Sequence, residues 1–164
     1  MELSAFNTLS AEAAAGVVRP WADVPGWVGA IVEGRPYPDL ETLLALADAE
    51  ARTWTASDVD RALVHHPRIG EQVAGTGAEQ DLSRAEQASI GDRADDVDLA
   101  LAAGNAAYEH RFGRVFLVRA RGRTAPEILE NLTARLDHDD ATEIEVAADE
   151  LRQIALLRLE GTFA

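Results

Sequence analysis

The 164-residue chain has no cysteine, and none of its 15 basic residues is a lysine. Without thiols there are no disulfides, no thiolate chemistry and no cysteine-ligated zinc. Without lysine there is no Schiff base to a carbonyl substrate or to pyridoxal phosphate. Positive charge is scarce: 29 acidic residues against 15 arginines give a net charge of −14. That balance argues against nucleic acid or an anionic membrane as partner, since both need a cationic face. Long apolar runs are also missing, and the longest falls far short of a membrane span. The opening "MELSAFNTLS" shows no basic n-region or cleavage signature, and the ending "GTFA" is no peroxisomal address. The expectation is a cytoplasmic protein. What is present is ordinary globular composition, 47% apolar and 27% charged, and the length suits one domain over residues 1–164.

Periodicity and punctuation read as a string of helices. "LSAEAAAGVV" starts at Ser10 and stops before Pro20, and "GWVGAIVEG" is a short apolar segment closed by Gly34. Asp39 is the expected N-cap of "PDLETLLALADAEARTW", where Leu40, Leu43, Leu44 and Ala47 mark one buried face. Ser57 and Asp60 suggest a capping box opening "SDVDRALVHH", which Pro67 ends, so that His65 and His66 fall in its last turn. Residues 70–80 carry three glycines and read as a loop. Ser83 and Glu86 form a second box. "DVDLALAAGNAAYEHRFG" is a long helix ending at Gly113, and Thr124 with Glu127 caps "PEILENLTARLDH". "ATEIEVAADELRQIALLRLE" repeats its apolar positions with Arg158 in the same rhythm. "RVFLVRA" is the only β-like run, and a lone strand makes no sheet, so a buried extended or partly helical segment is expected. About eight helices and no credible hairpin predict a single-domain, all-α bundle.

Three constellations carry chemistry. His65 and His66 precede Pro67. A histidine there interacts with the helix C-terminal carbonyls, or it is a general acid or base held in a fixed pose beside a glycine loop. A metal reading is weak, because adjacent helical positions point about 100° apart and no H-x-x-x-H spacing exists. Ser83-Arg84-Ala85-Glu86-Gln87 is either a capping box alone or a helix N-terminus that offers free N–H groups to an anionic substrate. "RVFLVRARGR" is either a core segment with arginines at its exit, or an extended backbone whose free amides contact a polar planar ligand.

"RPYPDLETLLALA", "ALVHHPRIGE", "SRAEQ", "GNAAYEHRFGRVFLVRARGR" and "ELRQIALLRLE", in that order over nearly the whole chain, resemble the 2-oxo-4-hydroxy-4-carboxy-5-ureidoimidazoline (OHCU) decarboxylases of urate breakdown. The resemblance implies an all-helical homodimer that converts OHCU to (S)-allantoin with no cofactor and no metal. It assigns acid/base catalysis to His66 and a catalytic carboxylate to Glu86. It lays Pro67 against the substrate, makes Ser83, Arg84, Ala85, Glu86 and Gln87 a polar wall, and gives Phe116, Leu117, Val118, Arg119 and Ala120 the remaining contacts. Two positions depart from the pattern: Arg119 stands where many relatives carry a small residue, and position 65 is a second histidine.

Decarboxylation needs a sink for the electron pair left behind, and a lysine-free chain with no cofactor motif has none to offer. The implied substrate supplies its own, an imine carbon beside the carbon that loses CO₂. Two rival classes fit less of the sequence. A non-catalytic acidic helical domain binding a protein partner leaves the motifs as coincidence, and a metal-dependent hydrolase would need His65, His66 and nearby carboxylates to gather a metal.

Overall fold

The computed structural model describes residues 1–64, 66–69, 77–88 and 95–164. Among these residues there are nine helices and no strand: α1 (Leu3–Thr8), α2 (Ala11–Val18), α3 (Pro25–Glu33), α4 (Leu40–Ala51), α5 (Ala56–Leu63), α6 (Ala78–Ala88), α7 (Asp95–Phe112), α8 (Ala125–Arg135) and α9 (Asp140–Phe163). The expected all-α class holds, with one helix more than foreseen. That helix, α1, is six residues long and buries only Phe6, too short to show a period.

Several boundaries are set by local chemistry. Ser10 Oγ accepts the Ala13 N–H at 3.2 Å, and Asp39 Oδ1 accepts that of Thr42 at 2.8 Å. The Thr124–Glu127 capping box is complete in both directions, with Pro126 in the first turn. Gly113 ends α7 with φ +69°, a left-handed conformation that glycine adopts at little cost.

Two expected boxes are not where the pattern put them. At α5 the box is Thr55–Asp58, two residues before Ser57–Asp60: the Thr55 N–H donates to Asp58 Oδ2 at 3.0 Å and the Asp58 N–H to Thr55 Oγ1 at 3.2 Å. The same spacing occurs at both places, and the earlier pair takes the first orphan amides. At α6 the helix already begins at Ala78, with the Asp81 N–H donating to the Gly77 carbonyl at 2.9 Å. Glu79 and Asp81 in that first turn favour the early start through the helix dipole. Ser83 is therefore an interior residue, and residues 78–80 of the expected loop are helical. Residues 70–76 of that loop lie outside the described residues.

The chain forms two compact units, residues Met1–Ala62 with Leu151–Ala164, and residues Leu63–Glu150. The first is built on aromatics. Trp21 and Trp27 are buried, and Trp21 packs edge-on against Phe163 with ring centroids 5.9 Å apart. Its "RPYPD" motif is spent on structure. Arg35 donates to the carbonyls of Phe6, Leu9 and Val32, while Asn7 and the Tyr37 backbone exchange bonds of 2.8 and 2.9 Å. In the second unit, Tyr108, Phe112, Phe116, Val118, Ile128 and Leu132 join Ile69 and Leu101 in one apolar core. Helices α7 and α8 approach closely at Gly104, where a Cβ would lie 2.3 Å from a Leu132 methyl.

Candidate functional site

All three constellations fall within the second unit. In the first, α5 stops at Leu63, and His66 lies in the segment beyond it, its N–H donating to the Leu63 carbonyl at 3.0 Å. The expected placement of His66 in the last helical turn is thus corrected by about one turn: a helix running on through His66 would set the Pro67 ring against the Leu63 carbonyl four residues back. His65 lies outside the described residues. The His66 imidazole is half-buried, with Nδ1 3.5 Å from the Pro67 carbonyl.

The Arg68–Ile69 backbone, just past His66 and Pro67, is pinned from two helices. Gln87 on α6 donates to the Arg68 carbonyl at 3.1 Å, and Asn105 on α7 donates to the Ile69 carbonyl at 2.9 Å. Arg68 adds a two-pronged bond to Glu109, one turn beyond Asn105, with Nη2 to Oε2 at 2.8 Å. The Arg68 hydrogen bonds and charge hold the Glu109 carboxyl below the usual carboxylate range. Arg68, Ile69, Asn105 and Glu109, with Asp98, Ala102 and Ala106, line a cavity of about 270 Å³. Sequence reasoning missed Arg68 and Glu109. Asn105 was visible as the first residue of "NAAYEHRFG", without a reason; the reason is its bond to the "HPRI" backbone.

On α6, Ser83 is fully buried and Glu86 and Gln87 are half-buried. These three, at i, i+3 and i+4, share one helix face. Arg84 and Ala85 are exposed, and Arg84 pairs with Asp81 one turn back. With Ser83 in the helix interior, the main-chain amides here belong to the helix. The reading of "SRAEQ" as an anion-binding helix N-terminus is therefore corrected.

The third segment is extended, as one of the two expected forms. Residues 115–120 have no turn or bend, and Phe116, Leu117, Val118 and Ala120 are buried. Behind it lies a buried charge cluster. Arg135 Nη1 donates to the Leu117 carbonyl at 2.7 Å, while its Nε donates to Glu143 Oε1 at 2.9 Å. The guanidinium carbon stands 4.7 Å from the Phe116 ring centroid. Glu143, fully buried, also accepts the Tyr108 hydroxyl and lies 2.9 Å from His138 Nδ1. Burial first, and the Glu143 hydrogen bond second, push the Tyr108 hydroxyl pKa up. Glu150 accepts the Arg119 N–H at 2.6 Å and pairs with Arg123 at 3.2 Å.

Comparison with known proteins places this arrangement. The fold matches a crystal structure of OHCU decarboxylase in the presence of (S)-allantoin with a TM-score of 0.72, over 90% of this chain and 97% of that one, at 23% identity. It matches a crystal structure of (S)-allantoin synthase at the same TM-score, over 98% of this chain and 54% of that one, at 17% identity. The class is that of the all-helical OHCU decarboxylase fold. The OHCU decarboxylase family model matches residues 7–160, and the chain belongs to that family. Among relatives, the 2-oxo-4-hydroxy-4-carboxy-5-ureidoimidazoline decarboxylase of Amia calva is 29% identical over 98% of this chain and 93% of its own length. A putative decarboxylase of the same name from Homo sapiens is 33% identical over 79% and 76%. The uric acid degradation bifunctional protein of Bacillus sp. (strain TB-90) is 27% identical over 99% of this chain, which spans only 32% of that protein.

Proposed function

We propose that this chain is a carboxy-lyase that decarboxylates OHCU to (S)-allantoin in urate degradation, acting as a single-domain cytoplasmic homodimer that needs no cofactor. The observation that carries the reading is the meeting of motifs. In a chain whose residues 7–160 match the family, the backbone after His66 and Pro67 is bonded by Gln87 of "SRAEQ" and Asn105 of "NAAYEHRFG".

The chemistry asks for little beyond positioning. When the carboxylate leaves as CO₂, its bonding pair forms a double bond to the neighbouring imine carbon, and the imine pair moves onto nitrogen. The ring nitrogen takes up a proton, the hydroxyl on the decarboxylated carbon gives up its own to become a carbonyl, and a proton is placed on the former imine carbon. The face that receives this proton sets the handedness. His66 is assigned the proton transfer. Glu86 is assigned the partner carboxylate, on the α6 face it shares with Ser83 and Gln87. Pro67 and the extended backbone of Phe116, Leu117, Val118, Arg119 and Ala120 are assigned the walls that turn the carboxylate out of the conjugated plane. Arg84 and Ala85, both exposed, complete the proposed wall.

The test is a coupled assay. OHCU is generated from urate by the two preceding enzymes, this protein is added, and substrate decay and allantoin handedness are followed. Accelerated decay with a single enantiomer is the expected result. Decay at the spontaneous rate to racemic allantoin would overturn the proposal. Undiminished activity after exhaustive chelation is expected, and sedimentation at twice the chain mass would establish the dimer.

A further inference from the structure

In extended backbone, each residue presents its N–H and C=O to one edge, and its neighbours present theirs to the other. Along 115–120, Leu117 and Arg119 therefore share one edge, while Phe116, Val118 and Ala120 share the opposite one. The first edge is occupied by side chains: Arg135 on the Leu117 carbonyl at 2.7 Å and Glu150 on the Arg119 amide at 2.6 Å. On the second edge, the Ala120 carbonyl accepts the Arg123 N–H at 3.0 Å. Among the described residues, no main-chain hydrogen-bond partner is found for Phe116 or Val118, although both are buried. Buried amides and carbonyls are almost always paired, so an edge left open calls for something polar to fill it.

We propose that Glu150 and Arg135 are positioning residues, which clamp one edge of the extended segment so that the Phe116–Val118 edge stands in fixed register for substrate. The proposal rests on the functional reading above, in which this segment contacts OHCU. The two clamps bracket Val118, one on the residue before it and one on the residue after. Both grip main chain rather than side chain, so they set where the Val118 amide and carbonyl sit. Each clamp is itself held: Glu150 by Arg123, and Arg135 by Glu143 and by the Phe116 ring beneath it. A displacement of about 1 Å in a group that orients substrate costs on the order of a hundredfold in rate. Side chains that touch no substrate can therefore govern turnover.

Glu150 offers the cleaner test. Glu150→Ala removes the acceptor, Glu150→Gln keeps an oxygen in reach of the Arg119 amide without the charge, and Glu150→Asp keeps the charge on a shorter arm. Steady-state kinetics at 25 °C, thermal melting and exchange of the Arg119 amide are measured for each. The expected result is a fall in kcat/KM of about ten- to a hundredfold for Glu150→Ala, with faster Arg119 exchange. Glu150→Gln should recover to within about threefold of wild type. If Glu150→Ala does not fold, Glu150→Asp carries the test, with lowered kcat/KM at a preserved melting temperature. Unchanged kcat/KM in a folded Glu150→Ala or Glu150→Asp, with wild type active, would overturn the clamp alone. So would a loss of melting temperature without a loss of turnover. An inactive wild type would instead overturn the functional reading, and the catalytic purpose of the clamp with it.

Discussion

At the scale of single residues, His66 and Glu86 separate chemistry from architecture. The His66 N–H donates to the Leu63 carbonyl, a bond that any residue but proline could make. His66→Ala is therefore expected to fold normally and to lose roughly 10²-fold or more in turnover, the usual scale for a general acid or base. His65→Ala should cost far less; steady-state rates of the two variants make the comparison, and a fully active His66→Ala would remove the assignment. Glu86 has the spacing of half a capping box. It lies in the last turn of α6, eight residues beyond the helix start at Ala78, so it does not cap that start. Glu86→Gln should leave the melting temperature in place and cut decarboxylation steeply. Melting and activity measured on one preparation decide it, and near-normal activity would leave His66 as the only side chain with a chemical role.

At the scale of elements, what could be read from the sequence depended on whether the signal was local. Asp39, Thr124–Glu127 and Gly113 act on their own helices, and each lies where the pattern placed it. Ser57–Asp60 and Ser83–Glu86 obey the same rule and are not caps. A box spacing marks what a helix start can use, while competing pairs and first-turn acids decide where it begins. The bonds that order the candidate site were not legible for a different reason. Gln87 to the Arg68 carbonyl, Arg68 to Glu109 and Arg135 to the Leu117 carbonyl span 18 to 41 positions and join residue types that are common on any surface. Gly104 is another such case. Alanine there would gain about 1 kcal/mol of helix propensity, but its methyl would press on Leu132, itself buried. Overpacking of this kind costs about 1–3 kcal/mol. Gly104→Ala is expected to be net destabilising, read as a lower urea midpoint at unchanged slope, and the added mutation Leu132→Ala should relieve the clash.

At the scale of the molecule, acid is the expected weakness. Asp39, Asp58, Glu127 and Asp139 are all held below their ordinary values, chiefly by hydrogen bonds from Thr42, Thr55, Thr124 and Thr142. A carboxyl lowered in the folded state binds protons less readily there than in the unfolded chain. The stability it contributes is complete above the unfolded values of 3.8 and 4.5, and it is lost as pH falls through the lowered ones. Glu109, lowered by Arg68, has the same sign and ties acid sensitivity to the candidate site. Melting followed by circular dichroism should be nearly flat from pH 7 to about 5.5 and drop steeply below about pH 4. A melting temperature that rises on acidification would contradict it.

The first unit is assembled from the two ends of the chain: residues 1–62 are completed by residues 151–164, through Trp21 Nε1 on Thr162 Oγ1 at 3.0 Å and Phe6 edge-on to Phe163. The second unit is continuous in sequence. During synthesis, the ribosome therefore delivers every residue of the second unit before Thr162 and Phe163, which pack on Phe6 and Trp21, are made. The early helices must wait with part of their aromatic surface uncovered until residues 151–164 leave the exit tunnel. In this chain the helices made first are therefore completed by a segment made only after the whole of the second unit.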